Sequence, residues 1–166
     1  MTLKNLLTEQ ATLILAHKIV SSEQVRTTEP KAAQIAGCTM FELMQRAGEA
    51  AFKVLKQKWP KVQNILVVAG NGNNAGDGYV LAKLAKQQGF NVVVICEQPK
   101  RELAGDAKQA QLGWQKLGGE TQQFTELDYT QFDVIVDALL GTGVSGEVKP
   151  AFQAVIQQIN QSDIPV

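Results

Sequence analysis

The stretch NILVVAGNGNNAGDGY, Asn64 to Tyr79, runs from β-branched and apolar residues into a loop of glycines and asparagines, then closes on Asp77 ahead of an amphipathic segment. A strand that ends in such a loop sets a ligand-sized backbone cradle at its carboxyl end, where open α/β sheets bind their ligands. The same alternation recurs downstream. NVVVICE at 91–97 and DVIVDAL at 133–139 read as strands, and helical spacing fills Tyr79 to Gln88, Ala104 to Leu117 and Ala151 to Ile159. Short strands alternating with longer helices predict an α/β fold, a parallel sheet wound by helices. Gly89, and Gly118 with Gly119, fall where helices stop and a left-handed cap favours glycine, and a weak further strand is expected near Gln122 to Phe124.

Upstream, residues 1 to about 60 read as helices, because Leu3, Leu6, Leu7, Ala11, Leu13 and Ile14, then Met40, Phe41, Leu43, Met44, Ala47, Ala51, Val54 and Leu55, recur at helical spacing. Ser21 with Gln24, and Thr39 with Glu42, have capping-box spacing, and Pro60 closes the last of these helices. The apolar N-terminal stripe predicts a homodimer surface, against packing on the domain's own sheet. With 166 residues and 45% hydrophobic content the chain suffices for one core, a single domain with a helical segment 1–60 and a sheet core 61–166.

Sixteen basic residues balance sixteen acidic ones, and no basic block tracks phosphates, which argues against nucleic acid as a partner. No run approaches the about 20 apolar residues of a membrane span, and the first residues lack a leader pattern, so a cytoplasmic protein is expected. Cys38 and Cys96 are isolated and read as reduced thiols. Ile164 to Val166 resemble the opening of another strand, so the chain is expected to be C-terminally truncated.

Within the first loop, Gly70, Gly72 and Ala75 match G-x-G-x-x-A, and Glu97 ends the next strand where a dinucleotide-binding acid would meet a ribose hydroxyl. That is the dehydrogenase reading. Asn73 to Gly78 nevertheless predict an expanded turn, with the helix starting only after it. Asp77 would repel a pyrophosphate there unless it caps the helix or a cation neutralises the site. The adjacent amides of Asn73 and Asn74 offer oxygen acceptors and N–H donors, which suits a monovalent cation beside an anionic ligand. Close backbone approach to that ligand predicts that Gly72 and Gly76 tolerate no side chain.

VIVDALLGTGVSGEVKP, Val134 to Pro150, forms a second constellation. Asp137 ends an apolar strand, and Gly141, Thr142, Gly143, Ser145 and Gly146 follow before a helix led by Pro150. If the two strands are neighbours or flank the switch in strand order, Asp137 faces the cavity beside Asn74; otherwise it merely satisfies backbone N–H groups at its strand end. Neither glycine loop, 70–78 or 141–147, holds a His, Cys or Lys, and the lone His17 lies in the first helical segment, so covalent catalysis is not indicated. Acid–base or electrostatic assistance by Asp137 is what remains.

GNGNNAGDGYVLAKLAKQQG, with VDALLGTGVSGEVKP downstream and LMQRAGEAAFKVL upstream, is similar in order and spacing to the YjeF N-terminal family, the NAD(P)H-hydrate epimerases, over about residues 20 to 166. The resemblance implies a three-layer αβα Rossmann-like domain that interconverts the R and S forms of NADHX and NADPHX in metabolite repair. It implies that Asn73, Asn74, Ala75, Gly76 and Asp77 contact the dinucleotide, that Asn74 and Asp137 bind a potassium ion, and that Gly141, Thr142, Gly143, Val144, Ser145, Gly146 and Glu147 line the ligand. The family's D-I-P-S-G segment, which supplies a substrate-contacting aspartate and a potassium-binding serine, is absent from this sequence. The catalytic acid therefore lies between Asp137 and that aspartate. In many bacterial relatives an ADP- or ATP-dependent dehydratase domain follows. A nicotinamide-dependent oxidoreductase and a non-catalytic binding module are the alternatives.

Overall fold

A computed structural model describes residues 21–124 and 127–166. The apolar stripe from Leu3 to Ile14, on which the homodimer surface was predicted, and His17 lie outside the described residues. Helices α1 (Ser22–Ile35) and α2 (Met40–Lys58) lead into β1 (Asn64–Ala69), α3 (Asn73–Gln87), β2 (Asn91–Cys96), α4 (Gly105–Lys116) and β3 (Thr121–Gln123). A 3-10 turn (Tyr129–Gln131), β4 (Val134–Ala138) and α5 (Pro150–Gln161) complete the order. All strand pairs are parallel, in the spatial order β3-β2-β1-β4.

Both expected capping boxes form. Ser21 Oγ accepts from Gln24 N–H, and Thr39 Oγ1 accepts from Glu42 N–H at 3.1 Å while Glu42 Oε2 accepts from Thr39 N–H at 2.7 Å. These bonds hold the Glu42 carboxyl below its ordinary range. Helix α1 is otherwise thinly supported, with Ala33 its one buried residue.

The sheet buries both faces at β1, where Ile65 to Ala69 are fully enclosed. Strand alternation divides them: Ile65, Val67 and Ala69 pack with α2, α3 and α4, and Leu66 and Val68 pack with α5 through Phe152, Val155 and Ile159. Helices thus cover both faces, the three-layer α/β architecture expected. Register is pinned at the amino end, where Asp133 Oδ2 accepts from the backbone N–H of Gln63 and of Asn64, each at 2.8 Å. Those bonds hold the Asp133 carboxyl below its ordinary range. Ile164 to Val166, read as the opening of another strand, run beside β4, where Ile135 N–H donates to the Pro165 carbonyl at 2.8 Å.

Two local expectations are overturned. The turn after β1 is not expanded: α3 begins at Asn73, directly after its N-cap Gly72. Gly119 does not adopt the left-handed cap conformation that Gly89 and Gly118 do; it lies against the Trp114 ring, which leaves no room for a Cβ.

The tight start of α3 has a packing cause. A Cβ on Gly78 would lie 2.6 Å from Ala138 Cβ of the sheet, and one on Gly76 would lie 2.6 Å from Met44 Sδ of α2 and 3.0 Å from Ala107 Cα of α4. Gly48 of α2 meets Val80 and the Asp77 carbonyl in the same way. Glycine lowers intrinsic helix propensity, yet here it lets α3 sit flush between two helices and the sheet. This corrects the expectation for Gly76, whose lack of a side chain serves helix packing; Gly72, with a φ of −118° and no protein atom in the way, is not required as glycine by the fold itself. Gly76→Val should accordingly destabilise the fold by about 3 kcal/mol or more through overpacking, whereas Gly72→Ala should cost under about 1 kcal/mol. Urea unfolding of both variants checks the contrast.

Candidate functional site

Strand order reverses at β1: β2 lies on one side and β4 on the other. The crevice at such a switch, outside the carboxyl ends of the strands, is where open α/β sheets take ligands. Here it receives Gly70 to Gly72 from β1 and Leu139 to Gly146 from β4.

The two loops touch. Gly70 N–H donates to the Ala138 carbonyl at 2.9 Å, and a Cβ on Gly70 would fall 1.8 Å from the Leu139 carbonyl oxygen, so only glycine fits this backbone crossing. Asn74 Nδ2 donates to the Leu140 carbonyl at 3.2 Å, and a Cβ on Gly141 would sit 3.1 Å from Asn74 Cβ. Asp137 is exposed, and its Oδ1 accepts from Leu139 N–H at 3.0 Å. Asn74 and Asp137 are therefore fastened to consecutive residues, Leu140 and Leu139, of one loop. Asp137 does satisfy a strand-end N–H, but this bond engages one of its two carboxylate oxygens.

At the head of α3 the first intrahelical bond runs from Gly76 N–H to the Gly72 carbonyl at 3.3 Å, and no side chain caps the helix. The amides of Asn73, Asn74 and Ala75 thus keep the orphan donors of a helix N-terminus, which favours an anion. Asn73 is exposed and Asn74 half-buried, whereas Ala75 and Gly76 are buried against neighbouring helices and sheet. Those two can reach a ligand through their backbone alone.

Asp77 does not cap, a correction that follows from the early start of α3: it stands a turn inside the helix, partly buried. Burial, reinforced by Glu29 of α1, pushes its carboxyl up to about 6. Gly141 to Glu147, with Thr142, Gly143, Val144, Ser145 and Gly146 between them, form an exposed loop closed by a Val144 N–H to Gly141 carbonyl bond and a positive φ at Gly146. Gly141 alone of these is shown against Asn74.

One residue that shapes the rim was missed. Gln111 is a buried polar side chain whose Oε1 accepts from Leu103 N–H and whose Nε2 donates to the Arg101 carbonyl, each at 3.0 Å, fixing the loop after β2. A polar residue on the stripe Ala107, Ala110, Gln111, Trp114 was the signal available. Cys96 is buried, and desolvation pushes its thiol up, so it is no nucleophile; neither cysteine is in a disulfide.

The family model described as the YjeF-related protein N-terminus matches residues 40–166. The chain belongs to this YjeF N-terminal family. It is 37% identical over 152 residues to the bifunctional NAD(P)H-hydrate repair enzyme Nnr of Escherichia coli, covering 92% of this chain and 30% of that protein. It is 43% identical over 144 residues to the Nnr of Coxiella burnetii, covering 87% and 29%. The NAD(P)H-hydrate epimerase of Legionella pneumophila is 33% identical over 133 residues, covering 76% and 49%. The chain thus spans under a third of the length of the first two relatives. The crystal structure of yeast ynu0, YNL200c, superimposes with a TM-score of 0.74 at 26% identity, covering 89% of this chain and 68% of that one. Among the described residues no helix is long and apolar enough to cross a membrane.

The position of Asp77 makes stability depend on pH. Its folded carboxyl holds a proton up to about 6, against 3.8 ordinarily, so the protonated form stabilises the fold at low pH and that contribution is lost as pH rises through this window. Asp77→Asn should therefore gain on the wild type between pH 4 and about 6 and hold its advantage above, as thermal midpoints across that range will show.

Proposed function

We propose that this chain is an NAD(P)H-hydrate epimerase domain, an isomerase that interconverts the R and S forms of NADHX and NADPHX in metabolite repair. The observation that carries the proposal is the switch-point crevice itself, where an uncapped helix N-terminus meets a carboxylate and an amide fastened to the facing loop. The names of the Escherichia, Coxiella and Legionella relatives support it, and the bifunctional ones support a parent with a second repair activity.

In this reading the amides of Asn73, Asn74 and Ala75 hold the pyrophosphate of the dinucleotide, with Asp77 and the loop Gly141 to Glu147 around it. The donors left at the crevice are oxygens: the second carboxylate oxygen of Asp137, and Oδ1 of Asn74, whose amide nitrogen is engaged by Leu140. An all-oxygen set of low charge fits a potassium ion, which when bound would supply positive charge beside an anionic substrate.

Epimerisation requires no redox step. The hydroxyl sits on a carbon next to the ring nitrogen, whose lone pair stabilises the iminium cation left when hydroxide departs; water then returns to either face. Asp137 is the carboxylate this chain offers beside that cation, offsetting its charge while it stays ionised as a potassium ligand.

A purified mixture of R and S NADHX incubated with the full-length parent of this chain should equilibrate, faster with potassium than with sodium, by chromatography. Asp137→Ala should slow the interconversion about a hundredfold or more while leaving the thermal midpoint close to wild type. An unchanged epimer ratio in the wild-type reaction overturns the assignment, and full activity of Asp137→Ala overturns the role of the carboxylate.

A further inference from the structure

Glu97 is absorbed by none of the roles above. Strand β2 ends at Cys96 in register with Ala69, so Glu97 leaves the sheet level with Gly70, one strand away from the glycine loop. Alternation along β2 carries it to the side of Val93 and Ile95, the face on which Ile135 and Asp137 follow each other in β4. Its Oε2 is shut off from solvent and has no hydrogen-bond partner among the described residues. Two neighbouring donors are committed elsewhere: Gln111 bonds the backbone at Arg101 and Leu103, and Lys108 pairs with Glu102. Proteins rarely leave a buried carboxylate oxygen without a donor, and one at a ligand crevice is matched by donors the ligand brings.

A dinucleotide whose pyrophosphate lies on the head of α3 places one half on the β4 side and the other on the β2 side. The reacting ring belongs with Asp137, on the β4 side. The adenosine half then lies over the end of β2, where its ribose presents two adjacent hydroxyls, both hydrogen-bond donors. We propose that Glu97 accepts from these hydroxyls and makes the site selective for NADHX over NADPHX, an inference that rests on the epimerase reading. A 2′-phosphate removes one donor and sets a dianion against the carboxylate, which is unfavourable at contact distance even in a partly solvated site.

The test compares wild type, Glu97→Gln and Glu97→Ser for kcat/KM with NADHX and NADPHX, and for NAD+ and NADP+ affinity by calorimetry. The wild type is expected to favour the unphosphorylated form by about tenfold or more in both measurements. Both variants should shrink that ratio toward one, losing efficiency with NADHX and gaining it with NADPHX, with near-native melting. Epimerisation of both substrates with equal efficiency, or a ratio that survives both substitutions, overturns the role of Glu97 and leaves the epimerase intact. A Glu97-dependent preference for NAD+ without any epimerisation keeps the ribose contact and removes the epimerase.

Discussion

The site depends on how closely α3 can approach the end of the sheet. Side chains normally hold a helix away from the sheet it covers, because they fill the gap between them. Here Gly76 and Gly78 remove them on opposed sides of α3, and Gly48 does the same on α2. The helix therefore starts at Asn73, close against β1 and β4, and its unpaired amides open at the switch point. Any bulk at these positions would lift the helix and carry its uncapped end away from Asp137. At these glycines it is packing that forbids a side chain.

This explains where sequence reasoning succeeded and where it failed. β1, β2 and β4 were legible because β-branched runs bounded by turn residues have few other readings, and both capping boxes were legible because their logic is local. The start of α3 was not. Glycine and asparagine are poor helix formers, so local propensity describes Asn73 to Gly78 as a turn, while contacts with Met44, Ala107 and Ala138 override it. The capping role expected of Asp77 failed with it, since that role assumed a helix starting six residues later, at Tyr79.

The juxtaposition of Asn74 and Asp137 was legible only as a condition. Chain order puts β4 after β3, yet β4 pairs with β1, and no local pattern announces that jump. Once β4 is beside β1, the two glycine loops have to meet, and Gly70 permits the crossing. Gln111 was hidden for another reason: its value lies in two backbone groups of a loop eight to ten residues away, which only the folded chain brings to it.

The pairing of Val68 with Asp137 has a consequence for assembly as well as for chemistry. A slip of β4 by one residue along β1 would turn Asp137 inward, onto the face packed by α2, α3 and α4, where an ionised carboxylate finds neither water nor a cation. The same slip would pull Asp133 away from the amides of Gln63 and Asn64. Asp137 within the strand and Asp133 just ahead of it thus act as a proofreading device: misaligned sheets are penalised at both ends, and correctly built ones arrive with their carboxylate already facing the crevice.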